Sequence, residues 1–520
     1  MGIGTGEPEG ATSNWGFMAK AVAKAPGRSH GNTFRRNGDS AQTADLASGR
    51  RPRRAGVVRS WQCMARLSCL LAALSLSACS TTRPWSNEPL AAREAVVYDG
   101  RAQLIDSNRN PDLLVVASFS GGGSRAAAFA HAVLTELQRE TFLWQGRPTN
   151  LAAEIDVVAG VSGGSVAAAH LALHGIDESL RRFPDEFLAV DFQALLIQSM
   201  LSPANLMRST SPWFGRGHVL AEAFDDLLFK GATFSILAEH PGRPYLMIGA
   251  TDLSTGADFD FTSEQFARLC SSIDSVPLAF AVAASSAVPV LFSPLTLQNH
   301  SRLCAERGEA AVAQPPEAGD SARVRMIKQE LNAVGRPERR AIHLVDGGVA
   351  DNLGTRRITD YVAQAGGIGP VLRALGLVEE GGKPVPRRIV FITVNAEREV
   401  VLKMDASDEV PSTLAVLDAL VYAGLGRYSK ETSLVFSDAV AQWRREIQST
   451  PGLGSDADIY AIELKLTDIG DVALQERLLN IPTTFRISAS QLDSLREAAK
   501  LSLAASTEFQ RLRNSVGSLP

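Results

Sequence analysis

Histidine is scarce in this chain of 520 residues, and none follows His343. A hydrolase triad in the chain order Ser, Asp or Glu, His needs a histidine late in the fold. Here that order survives only as the arithmetic possibility Ser162, Asp252, His343. His131, His170 and His174 fall in alanine-rich helical runs and are expected to be packed or surface residues. Cysteine is also scarce, with five in the chain. There is no internal repeat, and a net charge of −4 gives no reason to expect a nucleic-acid partner. What remains is ordinary for a globular protein with a real core, at 45% hydrophobic and 21% charged residues.

The charge that is present is uneven. Residues 1–63 are rich in Gly, Ser, Arg and Asn without apolar periodicity, so they are expected to be a disordered extension or an over-long gene start. Residues 64–78 follow as a short apolar run behind Arg66, too short for a bilayer span but suited to a signal peptide. It ends in Leu76-Ser77-Ala78-Cys79. Simple cleavage after Ala78 is one reading. The other is a bacterial lipoprotein signal, with Cys79 lipidated, which places the protein on the periplasmic side of the envelope, at the outer membrane in preference to the inner. Cys270 and Cys304 are then the cysteines of the mature body, and export favours a disulfide between them over two free thiols.

Residues 79–110 show little pattern and are expected to be a tether. From 111 to 400 the chain alternates strands with helices. Asp112–Ser118 is a buried strand that enters Ser120-Gly-Gly-Gly-Ser-Arg125 and then a helix with Phe129, Val133 and Leu137 on one face. Further strands are expected at 154–159, 245–253, 342–345 and 388–394, with a short hairpin in Thr255–Phe261. This pattern predicts an α/β fold with a mainly parallel sheet covered on both faces. Residues 305–340, rich in Ala, Glu, Pro and Arg, are expected to be a surface insertion. Residues 401–520 are expected to add a helix near 412–446, a strand near 458–466 and a last helix from about Ser490, capped by Ser488 and Gln491, packing on the same domain.

Three glycine-flanked elements can carry chemistry. Gly160-Val-Ser162-Gly-Gly164 lies between a strand and a helix, which suits a nucleophile elbow, and the helix N-terminus favours an oxyanion beside the serine. Gly121, Gly122 and Gly123 also link a strand to a helix. Phosphate cradling is their bland reading. They have neither a following Gly-Lys-Ser/Thr nor the G-x-G-x-x-G spacing. Their N–H groups are therefore oxyanion-hole candidates, with Arg125 steadying the loop or an anionic head group. Asp346, at a strand end before Gly347 and Gly348, is a turn-former or a base. It would reach the edge that carries Ser162 if both strands run parallel.

In this order, Gly-Gly-Gly-x-Arg, Gly-x-Ser-x-Gly and Asp-Gly-Gly resemble the patatin-like phospholipases. The likeness extends to Ala250-Thr-Asp-Leu-Ser-Thr-Gly256, Ala283-Ala-Ser-Ser-Ala-Val-Pro289, Phe292-Ser-Pro294 and Asp351-Asn352, over roughly 112–396. Ala126 departs from the family's usual glycine. The resemblance implies a three-layer α/β/α fold and a Ser–Asp dyad without histidine. It also implies hydrolysis of phospholipid or lysophospholipid acyl esters with no cofactor or metal. Carried over, Ser162 is the nucleophile, Asp346 the base and Gly121 to Gly123 the oxyanion donors. A non-enzymatic envelope lipoprotein using this fold to bind lipid is the alternative.

Overall fold

The computed structural model describes residues 81–91, 96–100, 103–104, 110, 112–308, 315–375, 377, 387–397, 408–450 and 456–516. The expected extension, the signal segment and Cys79 lie outside them. The elements that build the site are, in chain order, β1 (Leu113–Phe119), α1 (Gly123–Arg139), β2 (Ile155–Val161), α2 (Gly163–His174), α3 (Phe192–Met200), α4 (Pro203–Arg208) and β3 (Tyr245–Asp252). They continue with β4 (Asp258–Asp260), α5 (Leu278–Ser285), β5 (Leu295–Gln298), α6 (Ala322–Val334), β6 (Ala341–Asp346), β7 (Arg388–Asn395), α7 (Thr413–Ser449), β8 (Asp458–Lys465) and α8 (Ala489–Ala505).

One sheet runs in the order β8-β7-β1-β2-β3-β6-β5, with β4 hairpinned onto β3. Successive strand side chains point to opposite faces, and the apolar residues divide accordingly. Val115, Ala117 and Phe119 of β1 join Val390, Ile392 and Val394 of β7 in a core with Phe129, Val133 and Leu137 of α1. Leu114, Ile389, Phe391 and Ile459 face the other way, against Phe436, Val440, Trp443 and Ile447 of α7. Two cores separated by one sheet make a three-layer α/β/α sandwich. Strands buried on both faces explain why these segments look continuously apolar in sequence.

The five strands from β8 to β3 are parallel, but β6 pairs antiparallel with β3, and β5 antiparallel with β6. The expectation that Asp346 arrives on a strand parallel to that of Ser162 is therefore corrected. β6 enters from beyond the C-terminal ends of the parallel strands, and its last residue stops opposite Ala250. Val161 is paired with Gly249 of the same strand. Running the other way, Asp346 still ends beside the serine.

Two other expectations change. Much of the supposed tether is packed: the Trp85 ring lies tilted against Phe280, Asn87 hydrogen-bonds Ser271 and the Gln298 carbonyl, and Tyr98 is fully buried. The supposed insertion holds α6, capped by Ser321 and burying Ile327 and Val334. Beyond α6, Arg339 reaches Asp252 with both terminal guanidinium nitrogens, at 2.7 and 2.8 Å. At the C-terminus the Ser488 hydroxyl accepts from Gln491 N–H while the Gln491 side chain accepts from Ser488 N–H. Cys270 and Cys304 are joined by a disulfide that brackets α5 and β5, with Cα atoms 5.9 Å apart and a sequence separation of 34. Closing a loop of that size removes unfolded-state entropy equivalent to roughly 4 kcal/mol in the chain-entropy account.

Candidate active site

β2 ends at Val161, and the chain turns sharply into α2 through Ser162 at φ 50° and ψ −125°. A side chain seldom adopts such a backbone, and it is kept here because the surroundings leave no alternative. Glycine on either side makes the turn possible. A Cβ on Gly160 would lie 2.6 Å from Ser165 Cα, and one on Gly164 would lie 2.3 Å from the Phe119 carbonyl oxygen. A Cβ on Gly163 would meet the Gly123 carbonyl oxygen at 2.0 Å. The first turns of α1 and α2 thus converge beside the serine, and both present the positive end of a helix dipole.

The Ser162 hydroxyl donates to Asp346 Oδ2 at 2.8 Å. Asp346 Oδ1 accepts from Gly348 N–H at 2.8 Å. The Asp346 backbone is fixed by its N–H to the Ala287 carbonyl and by Thr251 Oγ1 to its own carbonyl, each at 2.9 Å. Gly347 is needed for close approach, since a Cβ there would lie 2.2 Å from the Gly249 carbonyl oxygen. Burial pushes the Asp346 carboxyl up to about 6, against the opposing hydrogen bonds from Gly348 and Ser162. A carboxylate so poised is a far better base towards a hydroxyl than a solvated one.

The glycine loop divides its labour. Gly121 N–H is already given to the Asn352 carbonyl at 3.0 Å, so Gly121 is corrected from oxyanion donor to a fastening of the loop. Gly122 (φ 142°) and Gly123 (φ 61°) occupy left-handed backbone open to glycine, and neither N–H donates to a described residue. Arg125 is buried, with Nε on the Ala396 carbonyl at 2.9 Å and a terminal nitrogen on the Ile481 carbonyl at 2.6 Å. Its visible work is to tie this loop to β7 and the C-terminal segment.

Two participants escaped the sequence reading. The Ser285 hydroxyl accepts from Ser162 N–H at 2.8 Å and donates to the Gly249 carbonyl at 2.6 Å, clamping the strained residue to β3. Glu397 lines the same cavity as Ser162 and Asp346, together with Val288, Pro289 and Leu425, and burial pushes its carboxyl up to about 7. The only available signals were a serine inside the matched Ala283–Pro289 segment and an acid just past a strand end. The cavity is small, about 70 Å³.

The order Ser162, Asp252, His343 is not assembled. Asp252 is held by Arg339, while His343 is exposed and meets Thr296 Oγ1 at 2.9 Å. His170, His174 and Glu186 bring one donor atom each within 4.8 Å of one another, a set able to hold a cation. Arg182 already fills that role, contacting Glu186 Oε1 at 2.6 Å and His174 Nδ1 at 3.1 Å.

Residues 117–357 match the family model of the patatin-like phospholipases. This stretch is a patatin-like phospholipase domain. Among solved structures, human GIVD cytosolic phospholipase A2 is similar at 12% identity and a TM-score of 0.39, covering 81% of this chain. This chain spans 63% of that enzyme's length. VipD from Legionella pneumophila aligns at 12% identity and a TM-score of 0.25, over 76% of this chain and 66% of its own. ExoU of Pseudomonas aeruginosa, in complex with SpcU, aligns at 14% identity and a TM-score of 0.23, over 84% and 98%. No curated protein matches the sequence.

Proposed function

We propose that the protein is a serine acyl hydrolase that cleaves fatty-acyl esters of phospholipids or lysophospholipids with a Ser162–Asp346 dyad. The observation that carries this reading is the 2.8 Å hydrogen bond from a buried, strained serine to a buried carboxylate. Ser162 Oγ attacks the acyl carbonyl carbon as its proton passes to Asp346. The carbonyl electrons move onto oxygen, where the N–H groups of Gly122 and Gly123 and the two helix N-termini oppose the charge. Collapse expels the alcohol, which takes the proton from Asp346 and leaves an acyl-serine. Water, deprotonated by the same carboxylate, then releases the fatty acid.

The test is fatty-acid release from phospholipid by the purified full chain, compared with Ser162→Ala. Activity should fall to background in the variant, with an unchanged circular dichroism spectrum showing that it still folds. Equal release by both proteins would end the proposal, and folded parent protein that releases nothing would favour the lipid-binding alternative.

The same reading places the protein at the bacterial envelope through a lipid on Cys79. Its support is the apolar run ending in Leu76-Ser77-Ala78-Cys79. No helix among the described residues is long and apolar enough to cross a membrane. Metabolic labelling with a fatty acid should mark the parent and not Cys79→Ala; label retained by the variant would remove the anchor from the scheme.

A further inference from the structure

A run of thirty residues, from Phe192 to Ala221, has no acidic side chain and carries only Arg208 and Arg216 as cations. Within it α3, the following turn and α4 bury one side, at Phe192, Leu196 and Asn205. The other side offers Leu195, Leu201, Leu206, Met207 and, just beyond, Trp213 to solvent. These five, with Val290, are 44–62% exposed. Isolated apolar residues on a surface mean little, but a contiguous set on one segment without acids marks a binding face.

Two contacts say what that face meets. The start of the described chain is pinned to it: Ser211 Oγ donates to the Thr82 carbonyl at 2.7 Å, and the Arg83 guanidinium lies 4.0 Å from the centre of the Trp213 ring. Cys79 is three residues from Thr82, so an extended chain holds it within about 11 Å of this contact. On the other flank, Arg216 donates to the Val290 carbonyl at 2.9 Å. Val290 directly follows Val288 and Pro289, which line the catalytic cavity. These contacts therefore run from Thr82 and Arg83, just after the proposed anchor in sequence, to the Val288–Val290 edge of the site. The cavity of about 70 Å³ is also far below the roughly 300–1,000 Å³ that encloses a whole ligand, so a long acyl chain extends beyond it.

We infer that the face formed by α3, α4, Trp213 and the Val290 loop seats the protein on an anionic phospholipid bilayer, with the cavity mouth at the lipid surface. This rests on the lipid-hydrolase reading for its substrate but not for the binding itself. Arg208 is paired with Glu222, which directly follows the segment, so the exposed Arg216 and Arg83 are the cations that meet anionic head groups, while the apolar side chains enter the boundary beneath them.

The test uses the full chain carrying Cys79→Ala, which removes the anchor, and the same protein with Leu195→Glu, Leu206→Glu and Met207→Glu. Co-sedimentation with vesicles of phosphatidylethanolamine and phosphatidylglycerol should show the parent bound, and the triple variant at least tenfold weaker. Hydrolysis of a dispersed, short-chain ester should stay within twofold, and circular dichroism should be unchanged. Leu201→Glu alone, in the turn between α3 and α4 and the most exposed of the large apolar residues there, serves if the triple variant does not fold, with a weakening of at least threefold expected. A parent that ignores these vesicles, or variants that bind like it, would overturn the inference. So would a parent that sediments as a dimer in ultracentrifugation, is made monomeric by the variants and binds no lipid. Vesicle binding lost in the variants by a protein that hydrolyses no ester would sink the catalytic reading and leave this one standing.

Discussion

Asp346→Asn should reduce ester hydrolysis by about two to four orders of magnitude while stabilising the fold at neutral pH. The first effect is the loss of a general base held 2.8 Å from the nucleophile. Asparagine preserves the shape: its oxygen can still accept from Gly348 N–H, and its amide can donate to Ser162 Oγ. The second effect follows from linkage. The carboxyl is raised to about 6 in the fold, above the roughly 3.9 of an unfolded aspartate. Its charged form therefore opposes folding at every pH above about 6. That opposition fades as pH falls from 6 towards 4, because the folded state takes up the proton first. The variant should be more stable than the parent by about 1–3 kcal/mol at pH 8, and equal to it below about pH 4, as read by thermal unfolding across that range.

The same value places the acid limb of kcat/KM near pH 6, where a free imidazole also titrates. The limb alone does not distinguish dyad from triad, so variants must. His343→Gln should keep most activity, because His343 faces solvent beside Thr296. Glu397→Gln should leave the limb in place, because no hydrogen bond joins Glu397 to Ser162 among the described residues. A folded His343→Gln protein as inactive as Ser162→Ala would replace the dyad with a histidine mechanism.

Arg357→Leu should cost about 3–5 kcal/mol at pH 7, among the largest losses available to a single substitution in this fold. Arg357 is buried behind the site, 2.6 Å from Asp260 Oδ1 and 3.9 Å from Asp351 Oδ2. The first contact is a close ion pair whose angles fall short of a good hydrogen bond. Burial raises the carboxyls of Asp258, Asp260 and Asp351, and the guanidinium is what pulls each back down. Without it, only the side chain of Arg356, acting on Asp258, and backbone N–H bonds to Asp351 oppose the negative charge of the cluster. Each would then titrate still further above its unfolded value, so the deficit should be largest at neutral pH and shrink on acidification. Urea unfolding at pH 7 and pH 4.5 checks both statements. A loss below 1 kcal/mol, or one that grows at low pH, would show that the cluster is not held by this charge.

Most of the architecture could be read from the sequence because glycine marks the places where backbone must approach backbone. Gly160, Gly164 and Gly347 all stand where a Cβ would collide. The strands were recognisable because burial on both faces leaves no polar alternation. Strand direction was not, since an isolated strand looks the same either way, and β6 was misjudged for that reason. Gly121 was misassigned because sequence shows that an N–H exists but not that Asn352 already takes it. Ser285 and Arg357 act through partners distant in the chain, and no local pattern announces such contacts. The segment holding α3 and α4 went unassigned because its helices are short, nine and six residues, and lack strong periodicity.

The two walls of the cavity differ in how they are joined to the rest of the chain. Val288 and Pro289 lie inside the covalent ring closed by Cys270 and Cys304, as does Ser285, the clamp on the nucleophile. Leu425 and Gly426 of α7, and Glu397 after β7, form a wall outside that ring. The first wall resists displacement as one piece, and moving it would also release the serine backbone. The second lies outside the ring, but α7 packs on the turn from Gly348 to Asp351 whose first N–H holds Asp346, and Ala396 beside Glu397 is hydrogen-bonded to Arg125 and Ser120. The disulfide therefore braces the nucleophile's side of the cavity, while the α7 side is held by noncovalent packing alone.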